Sequence, residues 1–77
     1  MSDKLRDFKV GESAVVLGYG EGDPAYRGKL LAMGLTKGSL LKVVKVAPLG
    51  DPIGVELRGY DLSLRKAEAD ILVVGRA

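Results

Sequence analysis

The groups that could do chemistry in this 77-residue chain are carboxylates, lysines, arginines and hydroxyls, because it contains no histidine and no cysteine. Histidine is the usual general acid or base near neutral pH, and imidazoles and thiolates are the usual ligands of a tight zinc site. Ser13, Ser39 and Ser63 therefore have no imidazole to activate them, and a lysine base would need a burial that nothing in the pattern predicts. No enzymatic activity and no resident cofactor are expected. A disulfide staple and a structural zinc module are excluded with the cysteines.

Two other constellations invite a chemical reading. Gly18-Tyr19-Gly20-Glu21-Gly22 leads to Asp23-Pro24 and Lys29 and imitates a phosphate-cradling loop, but Lys29 is followed by Leu30 instead of Ser or Thr, and the glycine spacing is wrong. Asp23 would also turn a negative charge toward the first helix amides. A plain loop is expected over Gly18 to Gly22. Glu21, Asp23, Asp51, Asp61, Glu68 and Asp70 could offer oxygen to a hard cation, yet no spacing among them matches a calcium loop. Capping and solvated faces are the expected roles, with weak divalent metal (iron or zinc) at Glu21, Asp51 or Asp61 as the alternative.

The composition is 47% hydrophobic and 29% charged with a net charge of +2, which suits one folded domain over residues 1–77. The start Met1-Ser2-Asp3-Lys4-Leu5-Arg6-Asp7 lacks an apolar signal core, and no run approaches a membrane span, so a cytoplasmic protein without membrane insertion is expected. Lys37, Lys42, Lys45, Arg58, Arg65 and Lys66 are a basic set that folding could gather. Interspersed carboxylates and an aromatic content of 5% argue against nucleic acid as the partner.

The elements must position whatever remains. Ser13 to Leu17 reads as a first strand between glycines. Asp23 and Pro24 read as N-cap and first turn of a helix that runs to Met33, with Gly34 as its left-handed stop. Tyr26, Leu30 and Met33 form its apolar stripe, Tyr26 and Leu30 belonging to the core, while Arg27 and Lys29 take the wet side. Gly28 within that helix is either a point of close backbone approach, the favoured reading, or a merely tolerated position. Gly38 turns the chain into a strand over Leu40 to Val46, whose two apolar faces suit a strongly bent strand in a small closed barrel. Ile53 to Arg58 and Tyr60 to Arg65 alternate strictly around Gly59 and form a hairpin. Lys66 to Asp70 is at most a helical turn, Ile71 to Val74 is the last strand, and Gly75-Arg76-Ala77 is a frayed tail. The fold class is mainly β: a small five-stranded SH3-like barrel with one short helix inserted after the first strand.

Protein contact is the function class left. An 8.1 kDa fold has about 4,500 Å² of surface, so a partner footprint of about 800 Å² would occupy nearly a fifth of it. Leu31, Met33 and Leu35 at the helix end and Leu49 between Pro48 and Pro52 offer an apolar centre, with Arg27 and Lys29 at its rim. Leu49 either docks a partner or folds back onto the barrel.

Pro24-Ala25-Tyr26-Arg27-Gly28-Lys29-Leu30-Leu31-Ala32-Met33-Gly34-Leu35, followed by Gly38 and Lys42-Val43-Val44, resembles the ferrous iron transport protein A (FeoA) family. Ala47 to Ile53 is similar to that family's central loop, and Leu62-Ser63-Leu64-Arg65-Lys66 with Ala69 and Ile71 to its closing segment. The resemblance implies a cytosolic accessory protein of ferrous iron transport. Its implied partner is the cytosolic region of a membrane ferrous iron permease that carries a G-protein domain, and a homo-oligomer is compatible with it. Two alternatives remain open: a small basic barrel on nucleic acid, and an iron-responsive module that holds metal through carboxylates.

Overall fold

The computed structural model describes residues 3–77; Met1 and Ser2 of the polar start lie outside the described residues. Five strands form one antiparallel sheet: β1 (Ser13–Tyr19), β2 (Leu40–Val46), β3 (Ile53–Leu57), β4 (Tyr60–Leu64) and β5 (Leu72–Arg76), in the order β4-β3-β2-β1-β5. Helix α1 (Pro24–Ala32) follows β1, and the one-turn helix α2 (Lys66–Ala69) precedes β5. A flat five-stranded sheet would be about 10 Å thick and 24 Å wide. The molecule measures 28 × 26 × 24 Å, so the sheet curls around its own apolar face. Val16, Leu41, Val43, Ile53, Val55, Leu64, Leu72 and Val74 fill the inside.

Local chemistry accounts for the turns. Asp23 Oδ1 accepts from the Ala25 N–H at 2.9 Å and caps α1. At the other end the Gly34 N–H donates to Leu31 O and the Leu35 N–H to Leu30 O, each at 3.0 Å, with Gly34 at φ 90°. This paired closure places the residue after the glycine against the third residue from the helix end, so Leu35 meets Leu30 inside the core. Arg58 and Gly59 both have positive φ, the two-residue turn that matches the strands' twist. β2 shifts register against β3 between Val43 and Lys45, an irregularity of the kind that bends and twists a strand.

Four expectations are corrected. β1 runs through Gly18 and Tyr19, so the loop starts at Gly20. Gly75 and Arg76 are strand, paired with Val15 and Ala14, and Arg76 also binds Glu12 Oε2 at 2.7 Å and covers the Phe8 ring. A Cβ at Gly28 would meet nothing within 4 Å, whereas the tight glycine is Gly22, against Ile71. Tyr26 is 38% exposed and lies outside the core, which α1 enters through Leu30.

One segment carried no sequence signal. A 3-10 turn at Leu5–Asp7 buries Leu5 completely, and Asp3 bridges to Val74.

Candidate functional site

The loop between β2 and β3 is held by the Ala47 N–H donating to Pro52 O at 3.2 Å and the Gly50 N–H to Ala47 O at 2.8 Å. That turn thrusts Leu49 outward, 91% exposed, so it does not fold back onto the barrel. Leu31 is 45% exposed on α1, and Met33 is half-buried against the core. A groove of about 390 Å³ runs from Ala47 and Pro52 past Val44 and Gly54 to Asp61, Leu62 and Ser63. A second, of about 270 Å³, runs from Met33 and Leu57 to Tyr60, Asp61 and Leu62. Asp61 and Leu62 line both, so β4 links the Met33 end of α1 to the Leu49 loop.

Leu35 leaves this surface. It is fully buried, a consequence of the helix closure at Gly34, and its carbonyl accepts from the Tyr19 hydroxyl. Lys29 also has a structural task. Its Nζ lies 2.6 Å from Glu68 Oε2, and that carboxylate is almost completely buried while also accepting from the Arg65 N–H at 2.9 Å. The Lys29 bond, helped by the Arg65 amide and outweighing burial, holds the Glu68 carboxyl below its ordinary value. Arg27 sits 5.5 Å from the Tyr19 ring centroid, a cation–π contact that fastens α1 to β1. Burial raises the Tyr19 hydroxyl above its ordinary value, with Arg27 opposing. Lys45 and Arg58, which the sequence places only in a basic set, stand beside the two grooves.

The three carboxylates considered for metal stand apart. Glu21 lies by the loop after β1, Asp61 on β4, and Asp51 Oδ1 accepts from the Lys66 N–H at 3.1 Å with Arg65 at 4.0 Å. Among the described residues no three acidic side chains converge into a metal-sized cluster.

The FeoA domain family matches residues 4–76. The Fe(2+) transport protein A/Fe(2+) transporter FeoB fusion protein of Porphyromonas gingivalis is 35% identical over 66 residues, which are 86% of this chain. The chain spans 8% of the length of that relative. The solution structure of FeoA from Chlorobium tepidum is 40% identical, with a TM-score of 0.84 over 96% of this chain and 70% of that one. Stenotrophomonas maltophilia FeoA, described as a procaryotic SH3 domain protein and solved complexed with zinc, is 28% identical, with a TM-score of 0.79 over 97% and 89% of the two chains. TM-scores of 0.84 and 0.79 over nearly all of this chain show that it shares its fold with these two structures, and the SH3-like barrel expected from the sequence is the fold found. With its matched residues covering all five strands, the chain belongs to the FeoA family.

Proposed function

We propose that the chain is an accessory protein of ferrous iron transport that acts by contact with the cytosolic region of a ferrous iron permease. The observation that carries this reading is the fusion in Porphyromonas gingivalis, where a transport protein A segment similar to this chain and a FeoB transporter share one polypeptide. Covalent linkage holds two modules at high effective concentration, an arrangement that suits partners whose separate contact is weak. The docking surface is Leu31, Met33 and Leu49 with Arg27 at the rim, and Leu35 and Lys29 support it from within. On this reading residues 1–77 form one domain that works in the cytoplasm without enzymatic activity or a resident cofactor. In this role its work is recognition.

The test is an amide-resolved NMR titration of the labelled chain with the isolated cytosolic region of its cognate permease. Shifts at Arg27 to Met33 and in the Ala47 to Pro52 loop are expected. Their absence at saturating partner would sink the docking reading. A second reading, weak divalent metal at surface carboxylates, is favoured by the zinc complex of the Stenotrophomonas relative. Saturable shifts at Glu21, Asp51 or Asp61 with ferrous ion or zinc alone are its signature.

A further inference from the structure

The two-residue turn at Arg58 and Gly59 fixes which backbone groups of β4 are used. Leu57 and Tyr60 flank it, so they exchange both of their N–H and C=O bonds, and hydrogen-bonded pairing then recurs at Val55–Leu62 and Ile53–Leu64. Asp61 and Ser63 occupy the alternate positions, opposite Glu56 and Gly54, and their N–H and C=O groups point away from β3. β4 is at the end of the sheet, both residues are exposed, and none of the four groups finds another backbone partner among the described residues.

The edge is furnished on both faces. Lys45, Gly54 and Ser63 form a cross-strand row on the outer face, where Gly54 leaves a trough bordered by Val44, Ala47 and Pro52. Leu62 and Tyr60 have the opposite parity and line the groove that ends at Met33. A strand laid against β4 would drop alternate side chains into the two grooves. Charge selects its ends: Arg58 stands at one end of β4 and Arg65 and Lys66 at the other, with Lys45 over the trough. Lys45 and Arg58 make no ion pair among the described residues. A second copy of β4, placed antiparallel about Leu62, would bring Arg58 beside Lys66 and Arg65 of the other chain, an arrangement of like charges.

We propose that β4 is a strand-addition site for an extended segment of a partner protein, apolar in its centre and acidic at both ends. The proposal deepens the docking reading above and rests on it for the identity of the partner, but its test does not need that partner. The probe is a blocked peptide of alternating valine and isoleucine with a pair of glutamates at each end, titrated into the full chain and followed by NMR and amide hydrogen exchange. Saturable shifts over Tyr60 to Leu64 are expected, with exchange slowed at the Asp61 and Ser63 amides. N-methylation of the peptide's central amides one at a time should weaken binding about tenfold at alternate positions and leave it unchanged at those between.

Ser63→Pro deletes an outward N–H without removing a bond to β3, and it should abolish peptide protection while the melting temperature is kept. Binding indifferent to which amide is methylated, or no shifts on β4 at about 1 mM peptide, overturns the proposal. The same shifts produced by raising the chain's own concentration would assign the edge to a second copy and overturn it too. Titration of the permease region separates the two readings. Shifts at Leu31 and Leu49 without protection at Ser63 defeat strand addition alone, whereas no binding anywhere defeats the docking reading.

Discussion

The two edges of the sheet are finished in opposite ways. At β5 the Asp3 N–H donates to Val74 O at 2.7 Å and the Val74 N–H returns to Asp3 O at 3.2 Å, so the N-terminal segment bridges the middle of that edge. Lys4 Nζ reaches Asp70 O at 2.6 Å, and Glu68 is held by Lys29 and Arg65 on the same side of the barrel. At β4 the edge is bare, short and bordered by exposed Tyr60 (74%) and Leu49. Small sheets cover or blunt their edges because unpaired backbone invites another chain. One edge bridged at its centre by the protein itself and one left bare therefore divide the molecule into a side that holds it together and a side open to another chain.

The sharpest break in that division is Leu5→Ala. Leu5 has no exposed surface, and the turn it anchors carries the strap over β5. Truncating a buried leucine costs about 2–5 kcal/mol, against a total of about 4–12 kcal/mol for a domain of this length. A loss of that size in denaturant melts is expected, with fast exchange at the Val74 amide. A loss below about 1 kcal/mol would mean that the β5 cap is ornamental and the contrast between edges empty.

Lys29→Met probes the same side more gently. It strips a charge-assisted bond from the buried Glu68 carboxylate, worth about 1.5–3 kcal/mol. The acid dependence has a definite sign. Glu68 titrates below its ordinary 4.5 in the folded chain, so its contribution is complete above pH 4.5 and is lost as pH falls from there through the lowered folded value. The variant should lose less stability than the parent over that acid range. Equal acid slopes would remove the lysine as the cause.

On the recognition side, Leu49→Ala should leave stability within about 0.5 kcal/mol, because its side chain is surrounded by solvent. Partner binding should weaken by about 1–2 kcal/mol, read by calorimetry with the permease region. An unchanged affinity would shift the contact from the loop to β4 itself.

This division was only half legible in the sequence. Local rules located Asp23 as a cap, Gly34 and Gly38 at positive φ, and the Gly59 hairpin, because each depends on a few neighbouring residues. Leu35 was legible and was missed: the left-handed Gly34 after Leu30 already implies that the next apolar residue folds back on the helix. The β5 cap was not legible. Leu5 is a lone apolar residue in a charged stretch, and its burial, like the pairing of Gly75 and Arg76 with β1, depends on contacts across almost the full chain length. The open edge needed the sheet order, which strand patterns alone do not supply.

Helix α1 joins the two sides, with Lys29 tied to Glu68 and Met33 beside the groove that ends on β4. Gly28 sits in its middle, where a helical glycine suggests close packing. A Cβ there would meet no atom within 4 Å, and no positive φ demands a glycine. Its effect on the helix is then purely conformational, since glycine loses more backbone freedom on folding than alanine. Gly28→Ala should raise stability by about 0.5–1 kcal/mol in a thermal or denaturant melt. A destabilisation would mean that something approaches this face in solution. A gain in stability with weaker partner binding would identify Gly28 as the place where a partner's backbone comes close, and would extend the recognition side from β4 along the exposed face of α1.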